Sequence, residues 1–565
     1  MQAIANPLNL GNSISEDVMN FFNEEKYAGW KKKNYKVKKS VVEQFETVTN
    51  KPNIVIVADY DVDGIMGAYE SVSLVQRLHP EANVSFINPR RFTDGYGVSE
   101  AITEAILKEY TPKDTCIMTV DNGISQFKAL NRLYEAGFSI CLTDHHIPQK
   151  NEDGTYNLPL ADLIINPHVL DEKHKDDFAF EHYCGAGVIY KLAKELLPAE
   201  EVRQDFLPYA AIATIADVMP LIEENWVMVH EFLENADKYL PWFLNFTNKK
   251  PGYIDEEDVG FSICPVLNAA GRLLDDGASL VVNYLFNPTE LGMAQLKELN
   301  EQRKQLSKEQ TEIVMEYIKE HHLEEHEPIC VDIPGLHHGI VGIIAGRVTE
   351  TFNRACMICS DGKGSGRAPI GFDIYQFCKA HETLFKEKVS DDGTISYTYG
   401  GHEGACGFSI SPENFQKLAE YSKKIERTKE KQFDVILNRN QITEFHRKTS
   451  PYRPFGEGNP APRCLVSIRP EDESEITYLG KTPDKKPNPI HLSVKNSDGS
   501  KIVHFYHRDP ETMKSGLTDD NCFDGIGKVG INYFENYQGK VSVTAQLTIE
   551  EVYEPEEQPR DLRRW

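Results

Sequence analysis

Positive charge is what this chain most lacks. Against 87 acidic side chains it carries 61 Lys and Arg over 565 residues, a formal net charge of −26. A molecule coated in positive potential is therefore excluded, and any polyanion must be met in a local basic groove. Long apolar runs are missing too: nothing approaches the ~18 residues of a membrane-spanning helix. The opening MQAIANPLNLGNSISED has no basic start followed by an apolar core, so a secretory leader is not expected and the cytoplasm is the expected compartment. Nor do the cysteines form a paired framework. There are 11, several inside apolar runs such as TCIMTV and FSICLT, where buried free thiols are the ordinary reading. The one CxxC, Cys356 to Cys359, lies in a strand-like run with no second pair, which argues against zinc or redox chemistry.

What remains is a soluble-type composition, 40% hydrophobic and 26% charged, in a chain too long for a single core. From about 38 to 235, short apolar strands (NIVIVADYD, ANVSFINP, DTCIMTVDNG, SICLTDHH, ADLIINP) alternate with helical patterns. That alternation predicts an α/β domain with a mostly parallel sheet, with ligands gathering beyond the C-terminal strand ends. Residues 236–315 read as a helical connector, and 316–425 resume the alternation. From 426 to 565 short alternating strands separated by turns predict a small antiparallel barrel or sandwich. The lead, 1–37, runs into a lysine-rich segment with seven lysines between Lys26 and Lys39. It is either a solvated lead-in or a nucleic-acid contact.

Polar clusters stand at the predicted strand ends. Asp59, Asp61 and Asp63 follow the first strand, Asp121 the third, Asp144, His145 and His146 the fourth, and Asp217 a further apolar run. Acids at alternate positions repel one another, and buried aspartates are rare unless paired. Divalent cations remove that repulsion, and oxygen ligands with one or two imidazoles suit manganese or magnesium. The bland alternative, turn and helix capping, accounts for a single aspartate but not for the set. Two glycine-rich loops are expected to supply a phosphate cradle: DGKGSGRAPIGFD with Ser365 and Arg367, and YGGHEGACGFS with His402. PVLNAAGRLLDDGASL adds Asn268 and Arg272 in a tight small-residue turn or a close helix contact.

DYDVDG, DNG at 121 and DHH at 144 resemble the DHH phosphoesterase superfamily. PRRFTDGYGVSEA, CGAGVIYKLAKEL, ATIADVMPL, NAAGRL, GSGR…GFD, GGHEGACG and PFGEGNP then stand in the order of its RecJ family of single-strand-specific 5′→3′ DNA exonucleases. The resemblance spans residues from about 50 to 550. It implies a DHH catalytic domain (38–235), the connector, a DHH-associated domain (316–425) and a C-terminal OB-fold barrel that tracks single-stranded DNA. It further implies two Mn2+ or Mg2+ ions held by Asp61, Asp63, Asp121, His145 and Asp217. Asp63 and Asp121 would lie close to both ions, with Asp59 supporting. His146 would face the scissile phosphate, and Arg91, Arg272, Ser365, Arg367 and His402 would hold phosphates. The implied activity is hydrolysis by a metal-activated water, releasing 5′-mononucleotides in DNA repair and recombination. A single-stranded-DNA-binding protein and a helicase are the implied associates of a monomer. The alternatives are a phosphodiesterase for short oligonucleotides or cyclic dinucleotides, and an inactive nucleic-acid-binding repair protein. The chain departs from the family pattern at Ala58, at Ala368–Pro369–Ile370, where Pro369 removes a donor, and at Cys406.

Overall fold

The computed structural model describes residues 8–9, 22–151, 153–171, 173–174, 177–239, 242–250, 252–389, 395–425, 432–468, 476–481, 487–505, 523–536 and 538–553. They fall into two compact units, one formed by Val37–Ala216 with Gly260–Lys429, the other by Met1–Lys36, Asp217–Val259 and Glu430–Trp565. The division falls on the peptide bond between Ala216 and Asp217.

In the first unit, β1 (Asn53–Ala58), β2 (Asn83–Ile87), β3 (Thr115–Val120), β4 (Ser139–Thr143) and β5 (Leu163–Ile165) form one sheet in the order β2-β1-β3-β4-β5, parallel throughout. β1 and β3 read NIVIVA and TCIMTV and are almost wholly buried. Continuous apolar runs of this kind mark a parallel sheet covered on both faces. Strand order reverses between β1 and β3, so their C-terminal ends flank the crevice where such sheets bind ligands. Helix α1 (Val62–Leu78) leaves β1 through a tight turn and is buried along much of its length. It is joined in the same unit by α2 (Gly185–Leu196), α3 (Leu207–Ala216) and α4 (Cys264–Leu273).

A single helix, α5 (Glu290–Glu320), 31 residues long, leads to a second sheet in this unit. It is built from β6 (Ile329–Asp332), β7 (Cys356–Ser360), β8 (Lys363–Arg367), β9 (Tyr399–His402) and β10 (Ala405–Ser409), in the order β9-β10-β8-β7-β6, with only β6–β7 parallel. Helices α6 (Val341–Phe352) and α7 (Ile374–Ala380) accompany it. One sequence expectation is corrected here, and one pair of alternatives is decided. The glycine-rich stretches expected as loops are strands: glycine is required within β8 because a Cβ at Gly364 would meet the Phe408 ring at 2.2 Å. Of the two readings of Asn268 and Arg272, the close helix contact holds: both lie on helix α4, and Gly277 starts the next helix so close that a Cβ would fall 2.0 Å from the Ala270 carbonyl oxygen. Cys356 and Cys359 are both buried, on β7, and pack into two different clusters.

The second unit is organised on one sheet. Its strands are β11 (Val435–Leu437), β12 (Arg463–Ile468), β13 (Ile476–Lys481), β14 (Pro487–Lys495), β15 (Lys501–His504), β16 (Phe523–Glu535) and β17 (Val541–Tyr553). The order runs from Leu8–Asn9 through β11-β12-β16-β17-β15-β14 to β13. Closing a sheet into a barrel requires its edges to pair; among the described residues these two edges do not, so the sheet is curled and closure is not shown. Phe22, Tyr27, Trp30, Trp226 and Tyr452 share one core with its strands. The aromatic residues of the lysine-rich lead are therefore partly core: Tyr27 and Trp30 are buried, and the Tyr27 hydroxyl donates to Asn459 Oδ1 at 2.6 Å. Lys33 pairs with Glu223 at 3.4 Å, and Tyr35 hydrogen-bonds the same carboxylate. Among the described residues no helix is long and apolar enough to cross a membrane.

Candidate metal centre

Local chain geometry places the acids. Asp61 caps α1, its Oδ1 accepting from the Asp63 and Gly64 amides at 3.0 and 3.2 Å. Gly64 is obligatory, since a Cβ there would lie 2.5 Å from the Asp59 carbonyl oxygen. Asp63 enters the first turn of α1 and points at the start of α2. There its two oxygens accept from Gly185 N at 2.6 Å and Ala186 N at 2.8 Å, where a helix terminus stabilises negative charge. Asp121 follows β3 with φ 58°, a left-handed conformation uncommon for a residue with a side chain. Two buried asparagines hold the strand ends in place. Asn122 donates to the Val57 and Val120 carbonyls, and Asn88 to those of Ala58 and Asp59.

The histidines divide. His145 is buried, its Nε2 3.1 Å from Asp121 Oδ1 and 3.6 Å from Asp63 Oδ2. Burial lowers its pKa, favouring the neutral imidazole that ligates metals. The His146 side chain is 47% exposed, with Nδ1 2.7 Å from Asp144 Oδ1 and Tyr96 Oη at 3.5 Å. Asp144 also accepts from the amides of Ile124, His145 and His146. Against the cost of its burial, the positive field of His146 and these bonds hold its carboxyl down to about 2. Asp144 orients the histidine motif from inside the protein.

Three groups of side chains bring ligand atoms within 4.8 Å of one another: Asp59, Asp61 and Asp121; Asp63, His145 and Asp217; and Asp121, His145 and His146. Asp121 and His145 each belong to two groups, so the set reads as two adjoining positions. The donor set fits hard divalent cations. Burial and the Asp61 charge raise the Asp59 carboxyl well above its usual range, and its Oδ1 has no hydrogen-bond partner among the described residues. Burial likewise raises the Asp63 carboxyl, against the neighbouring His145. Cations among these oxygens would satisfy the buried acceptors and cancel the repulsion.

Cationic groups adjoin the acids. Arg91 stacks over the Tyr60 ring at 4.6 Å, and a Cβ on Gly271 would fall 2.8 Å from the Tyr60 carbonyl oxygen, so the residue between Asp59 and Asp61 is packed against both. Arg272, next to Gly271, donates to Gly339 O at 3.3 Å. Burial and the fields of Arg91, Arg303 and Arg367 push its guanidinium down to about 10. Several guanidinium groups gathered about a buried one make a place suited to an anion. Arg367 donates to Ser365 Oγ at 2.9 Å. The register His402↔Ala405↔Arg367 places His402 on the Ser365–Arg367 face of the sheet, where it stands exposed at the edge. Sequence reasoning missed Asn88, the two α2 amides and Arg303. CGAG carried a signal for the α2 start; Arg303, one charge in a charged helix, carried none.

The model of the DHH family, N-terminal domain, matches residues 53–216, the span that carries the acidic and histidine motifs. Over 540 residues the chain is 27% identical to the single-stranded-DNA-specific exonuclease RecJ of Bacillus subtilis, covering 92% of this chain and 63% of that protein. It is 30% identical over 393 residues to RecJ of Salmonella typhimurium, covering 65% and 64%. Residues 53–216 carry a DHH-family domain, in a chain that is similar to RecJ. The chain spans somewhat under two thirds of the length of those two relatives. The RecJ-like architecture extends over most of the molecule: the crystal structure of RecJ in complex with Mn2+ from Thermus thermophilus superposes with a TM-score of 0.69 at 22% identity, covering 95% of this chain and 77% of that one.

Proposed function

We propose that the chain is a metal-dependent exonuclease that degrades single-stranded DNA from its 5′ end and releases 5′-mononucleotides. The observation that carries this reading is the adjacency of two kinds of charge at one sheet switch point: an acid–histidine cluster fit for divalent cations, and beside it the arginines that flank Tyr60. The names of the relatives support the substrate and the strand preference. Asp59, Asp61, Asp63, Asp121, His145 and Asp217 would hold two Mn2+ or Mg2+ ions. Such ions, when bound, lower the pKa of a coordinated water and offset charge on phosphoryl oxygens.

The chain's own groups do the rest. Asp63, pinned by the α2 amides, and Asp121, set by its backbone, keep the ligand positions from spreading when their charges repel. Asp144 holds the His146 ring at Nδ1, so His146 would donate from its other nitrogen to a phosphoryl oxygen as charge develops. Arg91, Arg272, Ser365, Arg367 and His402 grip the terminal and scissile phosphates and set the bond presented for cleavage. Residues 38–235 act as the catalytic module and 316–425 as the DHH-associated module. Residues 426–565 act as a strand-binding module, with Phe505 and Phe534, 38% and 59% exposed, stacking on bases. Tyr533 is already engaged with Lys250 and Glu535, and Tyr506 lies outside the described residues.

The test is digestion of 5′-labelled and 3′-labelled single strands, long and dinucleotide, with each metal. A labelled mononucleotide as the first product of the 5′-labelled long strand is expected. First release from the 3′ label, or cleavage of dinucleotides alone, would refute the reading.

A further inference from the structure

Cys378 and Cys406 lie 28 residues apart in sequence, yet their sulfurs are 3.5 Å apart and hydrogen-bonded, with both side chains buried. Buried cysteines are most often inert small hydrophobes. This pair differs in what it is attached to. Cys406 on β10 is paired with Gly366 on β8, the residue between Ser365 and Arg367. Successive strand residues face opposite ways. Ser365 and Arg367 therefore share one face, while Gly366 and the Cys406 side chain share the other. Gly366 leaves room for the thiol, for a Cβ there would meet Cys406 Sγ at 2.8 Å. Cys378 reaches the same spot from α7, whose first residue donates its amide to the Glu403 carbonyl at 3.0 Å.

We propose that Cys378 and Cys406 form an oxidation site for a small two-electron oxidant such as hydrogen peroxide, and that their disulfide disengages Ser365 and Arg367 from a bound phosphate. The proposal rests on the reading of those two residues as a phosphate cradle. The Cys406 thiolate attacks one peroxide oxygen, the O–O bond breaks, and the released hydroxide takes up a proton to leave as water. Cys378, giving up its proton, then attacks the Cys406 sulfenic sulfur, and the S–OH group departs as a second water. Two thiols lose two electrons and two protons, and one peroxide takes them up to become two waters. Hydrogen bonding from Cys378 and the field of Arg367 both favour the Cys406 thiolate.

Forming the bond draws the sulfurs about 1.5 Å closer. Three bonds pass that movement on: Ser365 Oγ to the Cys406 carbonyl at 3.4 Å, Ala368 N to the Gly404 carbonyl at 2.9 Å, and the α7 amide already described. Loss of one charge-assisted phosphate contact is worth about tenfold or more in affinity.

The experiment uses the full chain, reduced or treated with hydrogen peroxide, with peptide mass mapping and KM for 5′-phosphorylated and 5′-hydroxyl single strands. A Cys378–Cys406 cross-linked peptide is expected, reversed by dithiothreitol. With it should come a rise in KM of about tenfold for the 5′-phosphorylated strand alone. C378A, and independently C406A, should show neither effect. Absence of the cross-link, or a cross-link that leaves the 5′-phosphate preference intact, overturns the switch. A reduced protein indifferent to the 5′ phosphate overturns the cradle reading and the switch with it.

Discussion

Gly185→Ala is a sharp probe of the metal centre, because it alters no proposed ligand. The new Cβ would lie 2.6 Å from Asp121 Cβ, 2.9 Å from its Cα and 3.1 Å from Asp63 Oδ2. Carbon atoms pack at about 3.5–4.0 Å, so something must retreat by about 1 Å. Gly185 is outside the left-handed region, so the alanine adds a clash and no backbone strain. Asp121 is already in a constrained conformation. The element that yields is then α2, and its withdrawal lengthens the 2.6 and 2.8 Å bonds that pin Asp63. Overpacking of this kind costs about 1–3 kcal/mol in stability. A 1 Å displacement among reacting groups costs about a hundredfold in turnover. Calorimetric Mn2+ titration, urea unfolding and kcat measured together should show all three losses. Gly346→Ala is the control: a Cβ there meets nothing within 4 Å, so the variant should be neutral or gain up to about 1 kcal/mol. If G185A bound Mn2+ and unfolded indistinguishably from wild type, the pinning of Asp63 by α2 would be refuted.

The two histidines should fail differently. H145A should weaken Mn2+ affinity, with activity recovering at high metal, whereas H146A should keep metal affinity and lose rate; equal losses of metal binding would contradict the assignment. Glu70, buried on α1, has its carboxyl raised well above the usual range by burial and the Asp63 charge. Above the usual carboxylate value, folding therefore takes up a proton, and stability falls as pH rises, by about 1.4 kcal/mol per unit, until the folded pKa is passed. E70Q should remove that slope and be the more stable protein at neutral pH, as urea unfolding across pH 5–8 would report; an unchanged slope would exclude Glu70 as its source. F534A should weaken binding of a long single strand by about 1–3 kcal/mol and leave dinucleotide hydrolysis unchanged, a split that filter binding and kcat/KM can measure.

Much of this site was legible in the chain because its chemistry is compressed into short segments. Apolar strands ending in DYDVDG, DNG and DHH announce both a parallel sheet and the edge where acids gather, since a buried strand and a polar terminus are properties of six or seven consecutive residues. The same locality misled elsewhere. The glycines of GSGR read as a loop, and that of NAAGR as a turn or a close helix contact, because glycine serves turns and close approaches alike. Here they serve close packing inside a strand and beside the Asp59–Asp61 turn, where the Phe408 ring and the Tyr60 carbonyl occupy the space of a side chain.

Other features belong to distance in the fold and leave no local trace. That Asp63 is held by amides 122 and 123 residues away, that His146 is set by Asp144 while His145 turns inward, and that Arg303 adds its field to Arg272 are outcomes of helix and strand packing. The lysine-rich lead shows the difference most plainly. Its composition suits solvent or a polyanion, yet Tyr27 and Trp30 are core residues beside Trp226 and Tyr452. Composition determines which groups are available to bury, and the hydrophobic effect, being non-directional, leaves the choice of partner to the tertiary structure.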